Sequence, residues 1–482
     1  MHHHAEYYRH LFERAEVEWE TRSTVEWLDD YGWCIDNLRT ALDWAISPGG
    51  DGSLGVALTA AGVPLWMHLS LLDECRGHAE HALAVLSGAA SPDTRREMKL
   101  NAALAVSLRY TRGAVPEIGA ALTSALELAE RLDDVDYQLR LLWELWSFRI
   151  ISGQYSAALA LAQRFGTLAA NRSDPGDRLI GERLIGVSQH YLGDHKSARR
   201  HLERVLADAV ILGRKHVIRF QVNPKVTARV FLARILWLQG FPDQAMRAAE
   251  SSVEDARAAN HGLSFCHALA LGACVIALLV DNLPAAEHYV GMLLDYSTRH
   301  SLTHWTAHVR CHQGALAIKR GHINAGLRLL RAGLDERGGS SSALRVNALL
   351  MIEALGRAGP IADGLAAIEE AIARAEHTDE RWLMAELLRI KGELVLLQGA
   401  AGARAAAEDH FRQALDWARQ QDALAWELRA ATSLAGLLGE QGHSADGRAL
   451  LRPLYYRFTE GFDTTDLKAA KALLEALAEP NA

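Results

Sequence analysis

The stretch YQLRLLWELWSFRII, SGQYS, AALALAQRFGTLAA (residues 137–170) decides the fold class. Apolar residues such as Leu141, Leu145 and Phe148 recur at helical spacing before the break at Gly153, and the same period resumes after it. A glycine at such a break supplies the left-handed backbone conformation that ends a helix. The pattern therefore predicts two antiparallel helices joined by a tight turn.

The same unit recurs along the chain, for example as ARVFLARILWLQ, GFPDQ, AMRAAESSVEDARAA over residues 228–259. One helix pair cannot bury its own apolar face, whereas a stack of pairs can. The sequence predicts an all-α, right-handed α-α superhelix of about ten repeats, tetratricopeptide-like but with a period of about 40 residues in place of 34. The helix breakers lie 38–47 residues apart, at Asp73, Gly113, Gly153, Gly193, Gly240, Asp281, Gly321, Gly359, Gly399 and Gly442.

A small residue stands five positions after the breaker in most of the units. A missing side chain at that place lets the second helix of a pair approach the first closely, so we expect these positions to be buried between helices. They are Ala158, Ala198, Ala245, Ala286, Gly326, Gly364 and Gly447.

Three regions are predicted from these patterns. Residues 1–50, rich in aromatic residues, are predicted to form an N-terminal helical cap or docking segment that ends at the linker SPGGDGS (47–53). Residues 51–462 are predicted to form the solenoid, with an irregular insert near 210–226, and residues 463–482 a C-terminal capping helix.

Composition excludes several classes of protein. Of the 482 residues, 49% are hydrophobic and 23% charged, which is typical of a folded chain, and the net charge of -8 disfavours nucleic-acid or anionic-membrane binding. Five cysteines without a CxxC pair indicate reduced, mostly buried thiols. The apolar run 268–280 is short for a membrane span, and the N-terminal stretch MHHHAEYYRHLF lacks the apolar run that is typical of a signal peptide. We therefore expect a cytoplasmic protein.

The motifs of common enzyme classes are absent from the sequence. There is no GxxxxGK[ST] phosphate-binding loop, no GxSxG and no HExxH, and the HAE at His78 lacks the PCxxC that would complete a deaminase zinc site. We expect neither catalysis nor a cofactor.

Histidines at four-residue spacing, starting at His300, form the sharpest local pattern. His304, His308 and His312 are predicted to share one helix face, where a pair of them could bind zinc or nickel. The alternative is an exposed histidine-rich face that becomes protonated near pH 6.

The insert ILGRKHVIRFQVNPK (211–225) supplies the second candidate site. Arg219 and Arg229 are predicted to contact an anion or an acidic peptide, with Gln221 and Trp237 as further anchors. The alternatives are a solvated basic loop near a helix end, and core packing for Trp237 and most other tryptophans of the repeats.

Several segments resemble a known family. HAEYYRHLFERAEVEW (4–19), WLDDYGWCIDNLRTALDWAISPGGD (27–51) and the C-terminal RWLMAELLRIKGELVLLQG (381–399) and LLRPLYYRFTEGFDTTDLKAAKALLEAL (450–477) are similar to the helical repeat region of bacterial winged-helix transcriptional regulators of the signal-transduction ATPase class. A similar ending occurs in proteins that join a class III nucleotide cyclase to an ATPase and repeats.

The resemblance implies a non-catalytic sensor or scaffold region whose concave surface binds a protein or a small-molecule effector. The winged-helix and ATPase modules of the family have no counterpart in this sequence, so we expect them on a separately encoded partner, or the chain to be a fragment of a longer regulator. Two alternatives stay open. They are a free-standing adapter for protein–protein interaction and the regulatory region of a class III nucleotide cyclase.

Overall fold

The computed structural model describes residues 1–482 except 20, 21, 23, 89–92, 114, 213–215, 217, 218, 221, 301, 303, 304, 337–344, 359 and 479–482. Every regular element in this part of the chain is helical. The predicted all-α helical-repeat fold class is confirmed.

The chain divides into two compact units. The first comprises residues 1–148, 167–172 and 213–220, and the second comprises residues 149–166, 173–212 and 221–482. The helices in the first part of the chain are α1 His2–Trp19, α2 Thr24–Tyr31, α3 Ile35–Ile46, α4 Gly52–His68, α5 Leu72–Ser87, α6 Thr94–Arg112, α7 Pro116–Arg131 and α8 Val135–Ile151.

The remaining helices continue the same alternation to the C-terminal end. They are α9 Tyr155–Ala170, α10 Pro175–Tyr191, α11 His195–Ala207, α12 Pro224–Leu238, α13 Pro242–Ala258, α14 Gly262–Leu279, α15 Leu283–Arg299, α16 Thr306–Lys319, α17 Ile323–Glu336, α18 Arg345–Ala358, α19 Ile361–Thr378, α20 Met384–Gln398, α21 Ala403–Gln420, α22 Leu424–Glu440, α23 Ser444–Tyr455 and α24 Thr465–Ala476.

Within each unit, consecutive helices pack as pairs, and neighbouring pairs contact each other. The pairs in contact include α4–α5 and α6–α7 in the first unit and, in the second unit, α10–α11, α12–α13, α14–α15, α16–α17, α18–α19, α20–α21 and α22–α23. The first helix of each pair is the even-numbered one.

The turns within pairs and between pairs use different residues. Within pairs, the predicted glycines Gly113, Gly153, Gly193, Gly240, Gly321, Gly399 and Gly442 all have positive φ, and Asp281 does the same at α14–α15. Between pairs the left-handed residue is Asp133, Asn260, Asp379 or Asp422, residue types that tolerate this conformation. The predicted breaker at Asp73 is wrong. The turn before α5 has its positive φ at Ser70, and Asp73 lies in the first turn of α5. Gly359 lies outside the described residues.

The predicted close approach of paired helices is confirmed. Ala158, Ala198, Ala245 and Ala286 are fully buried. A Cβ atom on Gly326 would lie 2.6 Å from the Gly314 carbonyl oxygen. Such a distance leaves no room for a side chain, so these helix backbones touch.

The N-terminal helices of the first unit share one core with α4. Trp27 and Tyr31 of α2 are buried with Trp66 of α4, and the Trp27 indole donates a hydrogen bond to the Ala15 carbonyl of α1 at 2.8 Å. The predicted cap therefore packs directly on the first repeat.

Within the second unit the repeats turn back on themselves, so that early repeats contact late ones. The Ser156 hydroxyl donates to Asp379 at 2.9 Å, Gly193 lies against Gln421, and the Thr465 hydroxyl donates to Asp281 at 2.7 Å. Helix α12 also packs on α22. We call this set of contacts the seam. Nearly all residues of α12 are buried.

The apolar run of the sequence belongs to α14, which contains a π-helical turn at Ala268–Ala273. Among the described residues, Gly262–Leu279 is the helix long and apolar enough to cross a membrane, and 78% of it is buried inside the fold. The five cysteines are buried, as predicted, and none of them forms a disulfide bond. Burial raises the pKa of Cys75 to about 11, so this thiol stays protonated at neutral pH.

Candidate functional site

A pocket of about 500 Å³ opens on the inner side of the second unit. Its walls come from the first helices of five successive repeats, α14, α16, α18, α20 and α22, and from the C-terminal helix α24. The volume is within the range of small-ligand and peptide side-chain sites. We call it the inner pocket; it is lined by Leu278, Leu279, Lys319, Leu349, Leu350, Glu353, Glu386, Arg389, Ile390, Trp426, Leu428, Arg429, Thr432, Ser433, Thr465, Asp466 and Ala469.

Paired charges form one part of the pocket wall. The Arg389 guanidinium donates to the Glu386 carboxylate at 2.9 and 3.1 Å. Arg429 donates to the same carboxylate at 3.0 Å and to Asp466 of α24 at 2.8 Å. Because Glu386 and Arg389 are almost fully buried, this network is held rigidly by hydrogen bonds that each satisfy a desolvated charge.

The Glu386 carboxylate stays ionised in this setting. Burial by itself would raise its pKa, but the charges of Arg389 and Arg429 outweigh burial, and the pKa lies below its usual value. The network therefore carries its full set of charges at neutral pH.

Two tryptophan rings pack against the Arg429 guanidinium. Trp237 and Trp426 meet edge to face with ring centroids 4.7 Å apart, and the Arg429 guanidinium carbon lies 5.3 and 5.1 Å from the two ring centres. This arrangement gives cation–π attraction in addition to the ion pairs. Of the binding residues predicted from the sequence, Trp237 is the one placed next to the inner pocket. Trp237 is 3% exposed and packs against Arg429, so a ligand in the pocket would contact Arg429 and not the Trp237 ring.

Arg229 has an internal partner on the neighbouring helix. Its Nε donates to Asp255, which also binds Lys225 at 2.7 Å. An anion at Arg229 would have to compete with this carboxylate. The predicted anion contact therefore stays a prediction, to be tested by ligand binding to the Arg229→Ala protein.

Arg219 belongs to the first unit, and its guanidinium also has internal partners. It donates to the Asp136 carbonyl at 2.8 Å and to the Asp136 carboxylate at 3.1 Å. Gln221 lies outside the described residues. The role of Arg219 as an anchor stays a prediction, for which unchanged ligand affinity of Arg219→Ala would be the contrary result.

The histidine pattern lies largely in the core and not on an exposed face. His308 and His312 of α16 are 2% and 0% exposed, and His304 lies outside the described residues. The His312 Nε2 atom is 2.8 Å from the Ala270 carbonyl oxygen, and Nδ1 is 3.4 Å from the Asn347 amide. Burial lowers the pKa of His312 to about 4. The expected exposed face is therefore wrong for these two residues, and zinc binding, still a prediction, would cost His312 a hydrogen bond.

Sequence reasoning missed the charged residues of the inner pocket. Glu386 and Arg389 stand in the largely apolar first helix of a repeat, RWLMAELLRIKGELVLLQ. Charged residues on the buried first helix of a repeat need partners of opposite charge. This requirement was the signal in the sequence that could have indicated a charged site at Glu386 and Arg389. Most of the repeat tryptophans, including Trp143, Trp382 and Trp426, are buried, so their interpretation as packing residues holds.

Comparisons with known proteins give few relatives. No family model matches the chain. An uncharacterised protein of Rhizobium meliloti (strain 1021), R02095, is 26% identical over 391 residues, which cover 76% of this chain. The chain spans 36% of the length of that relative.

Three solved structures illustrate the similarity of the helical arrangement. The apo form of RapI is 11% identical with a TM-score of 0.45 and covers 58% of this chain and 97% of its own. The Cut9–Hcn1 hetero-tetramer structure of the APC/C is 12% identical with a TM-score of 0.47 and coverages of 95% and 84%. Yeast Tom70 is 12% identical with a TM-score of 0.35 and coverages of 98% and 96%.

Proposed function

We propose that the second unit binds a partner protein or a small effector in the inner pocket, and that the chain acts as the sensor and scaffold region of a bacterial signal-transduction ATPase-type transcriptional regulator. The observation that carries the proposal is the pocket itself, built from five successive repeats and the C-terminal helix.

The lining suits a ligand with both apolar and polar groups. Leucines from α14 and α18 with Ile390 offer an apolar wall, while Lys319, Glu353 and Asp466 offer charges of both signs. A segment of peptide, with its alternating side chains and backbone amides, matches such a surface. We therefore favour a protein partner over a purely apolar small molecule.

A pocket-filling variant tests the binding role. Ala469 of α24 is exposed and lines the pocket, so Ala469→Trp should fill part of it without disturbing the core. The matched control is Ala405→Trp, an equally exposed alanine on α21 away from the pocket. Proteins and metabolites captured from the host by each variant are compared quantitatively. A ligand lost with Ala469→Trp and kept with Ala405→Trp supports the proposal, and capture identical for all three proteins overturns it.

The regulator context rests on the resemblance of the N- and C-terminal segments, and the greater length of the Rhizobium meliloti relative is compatible with it. Its test is the identity of the captured partner. A protein with a phosphate-binding loop and a winged helix, whose ATP hydrolysis changes when this chain is added, is the expected result. A partner without a nucleotide-binding module points to a free-standing adapter, and a cyclase partner points to the third alternative.

A further inference from the structure

A second group of buried polar side chains lies at the seam of the second unit. His190 is in the last turn of α10, His195 is the first residue of α11 and Arg234 is on α12. The His190 ring and the Arg234 guanidinium lie against Trp382, which belongs to a repeat much later in the chain. We call His190, His195 and Arg234 the basic centre.

The three side chains are close to one another and fully enclosed. Arg234 is 2% exposed, and the two histidines are 0% exposed. The His190 ring centroid lies 5.3 Å from that of His195 and 5.0 Å from that of Trp382, and the Arg234 guanidinium carbon lies 4.6 Å from the Trp382 ring centre.

Within the described part of the chain, six nitrogen atoms of the basic centre have no hydrogen-bond partner. The Nε and Nη1 atoms of Arg234 and both ring nitrogens of His190 and of His195 are buried without a partner. In the described part of the chain, no carboxylate lies within ion-pairing distance of Arg234. Glu380 is a neighbour of Trp382 in sequence, and its carboxylate accepts a hydrogen bond from the Trp382 indole at 3.2 Å.

Burying these unpaired polar groups lowers the stability of the fold unless a hydrogen-bond acceptor binds to them. Burying an unpaired cation costs several kcal/mol, and each orphaned polar group adds about 1–3 kcal/mol. Stacking on Trp382 offsets part of this cost through cation–π attraction. Stacking uses the face of the guanidinium, however, and leaves the N–H groups in its plane free to bind an acceptor.

The histidines are suited to donate hydrogen bonds as neutral rings. Burial, with repulsion from Arg234, holds the pKa of His190 well below its usual value and lowers that of His195 to about 4. Each ring then offers one N–H group at neutral pH. The same combination of burial with repulsion from Arg183 and Arg234 lowers the pKa of His267 to about 3, so the positive charge of Arg234 acts on a third buried histidine as well.

We propose that the basic centre is a binding site for a small oxyanion, a carboxylate or a phosphate, held by the Arg234 guanidinium and the His190 and His195 rings against Trp382. The bound oxyanion ties the early repeats of the second unit to the late ones across the seam. This site is separate from the inner pocket.

Thermal unfolding in the presence of oxyanions tests the proposal. The protein is prepared in an oxyanion-free buffer and titrated with inorganic phosphate and, in a second arm, with acetate, each at constant ionic strength set with sodium chloride. We expect a saturable rise of about 2 °C in the unfolding temperature with the anion that binds. The two arms show whether phosphate or carboxylate is the preferred group.

Variants separate the site from general salt effects. Arg234→Met and His190→Phe should abolish the rise, whereas Arg320→Met, which removes an exposed arginine paired with Glu287, should keep it. Without oxyanion, Arg234→Met should unfold at the same temperature as the wild type or higher, because an uncompensated buried charge is gone. A role in packing alone predicts the opposite, a lower unfolding temperature in every buffer.

Calorimetric titration of the wild-type protein with phosphate and with acetate gives a readout that needs no variant. Millimolar or tighter binding with one site per chain is expected for one of the two anions. Absence of binding for both, or an equal thermal response in Arg234→Met, overturns the proposal and leaves buried water as the partner of these donors. Ala469→Trp should keep the oxyanion response, so failure here is distinguishable from failure of the inner pocket.

Discussion

The Glu460 carboxylate accepts a hydrogen bond from the backbone N–H of Gln244, 2.9 Å away, although 216 residues separate the two in sequence. Helix α13 begins just before Gln244, and its N-cap residue, Phe241, makes no capping bond with its side chain. Glu460 therefore supplies from a distant repeat the cap that the local sequence lacks, and it places a negative charge at the positive end of the helix dipole. Helix α13 and the end of the repeat array thus stabilise each other.

Removing this remote cap should destabilise the whole second unit. We expect Glu460→Ala to lower the free energy of unfolding by about 1 kcal/mol, the usual cost of losing a helix N-cap. Urea unfolding followed by circular dichroism measures the change. Glu475→Ala is the control, because Glu475 is exposed and pairs only loosely with Lys471 on α24. Equal stability of the two variants would show that the bond to Gln244 adds nothing.

Two glycines with the same backbone conformation should respond differently to alanine. Gly442 has φ +84° and open space around it, whereas Gly461 has φ +76° and a Cβ atom there would lie 2.0 Å from the Pro242 ring. Gly442→Ala should cost about 1 kcal/mol from the left-handed backbone alone. Gly461→Ala should cost about 1–3 kcal/mol more, because the rigid proline ring cannot yield. Chemical unfolding of both variants measures the difference. Similar losses of unfolding free energy in the two variants would contradict tight packing between Gly461 and Pro242.

The charge network of the inner pocket should make stability depend on pH. The folded-state pKa of Glu386 lies below its usual value, so its contribution is present above the unfolded pKa, about 4.3, and is lost as pH falls through the folded pKa. Glu386→Gln should cost about 3 kcal/mol at pH 7, since Arg389 and Arg429 lose their shared partner. The cost should shrink towards pH 3. The control is Glu369→Gln, which removes an exposed partner of Lys391 and should change the free energy of unfolding little. A stability difference between Glu386→Gln and the wild type that does not vary with pH would contradict this role of Glu386.

His312 should contribute acid sensitivity in a higher pH range. Its folded pKa is lowered to about 4 by burial, while the unfolded value is about 6.5. The unfolded chain therefore binds a proton first, and stability should fall as pH drops from about 6.5 to 4. His312→Gln keeps a donor for the Ala270 carbonyl and should flatten this part of the stability curve. His443→Gln, at an exposed position, is the control and should leave the curve unchanged.

Much of the fold and little of the candidate site could be predicted from the sequence. The turns and the close helix contacts could be predicted from residue type. A left-handed φ favours glycine, and a close helix–helix contact requires a small residue such as Ala198. The location of the inner pocket depends on which distant helices meet. Trp237 was predicted as a binding residue, but its partners Trp426 and Arg429 come from a repeat far along the chain.

The histidines of α16 show the same limit. Four-residue spacing correctly places His308 and His312 on one helix, but spacing cannot tell whether the shared face meets solvent or a neighbouring helix. Ala270 and Asn347, which contact His312, belong to the first helices of the preceding and following repeats. The burial of the ring, and with it the pKa, results from that stacking.

The sequence by itself determined the helix pairs, their period and their turns, because helical periodicity and positive-φ positions are properties of neighbouring residues. The tertiary structure alone decided the seam, the remote cap at Gln244, the inner pocket and the basic centre. Each of these joins residues from repeats that are far apart in sequence. Burial and charge pairing depend on which surfaces come into contact, and a local sequence pattern does not contain that information.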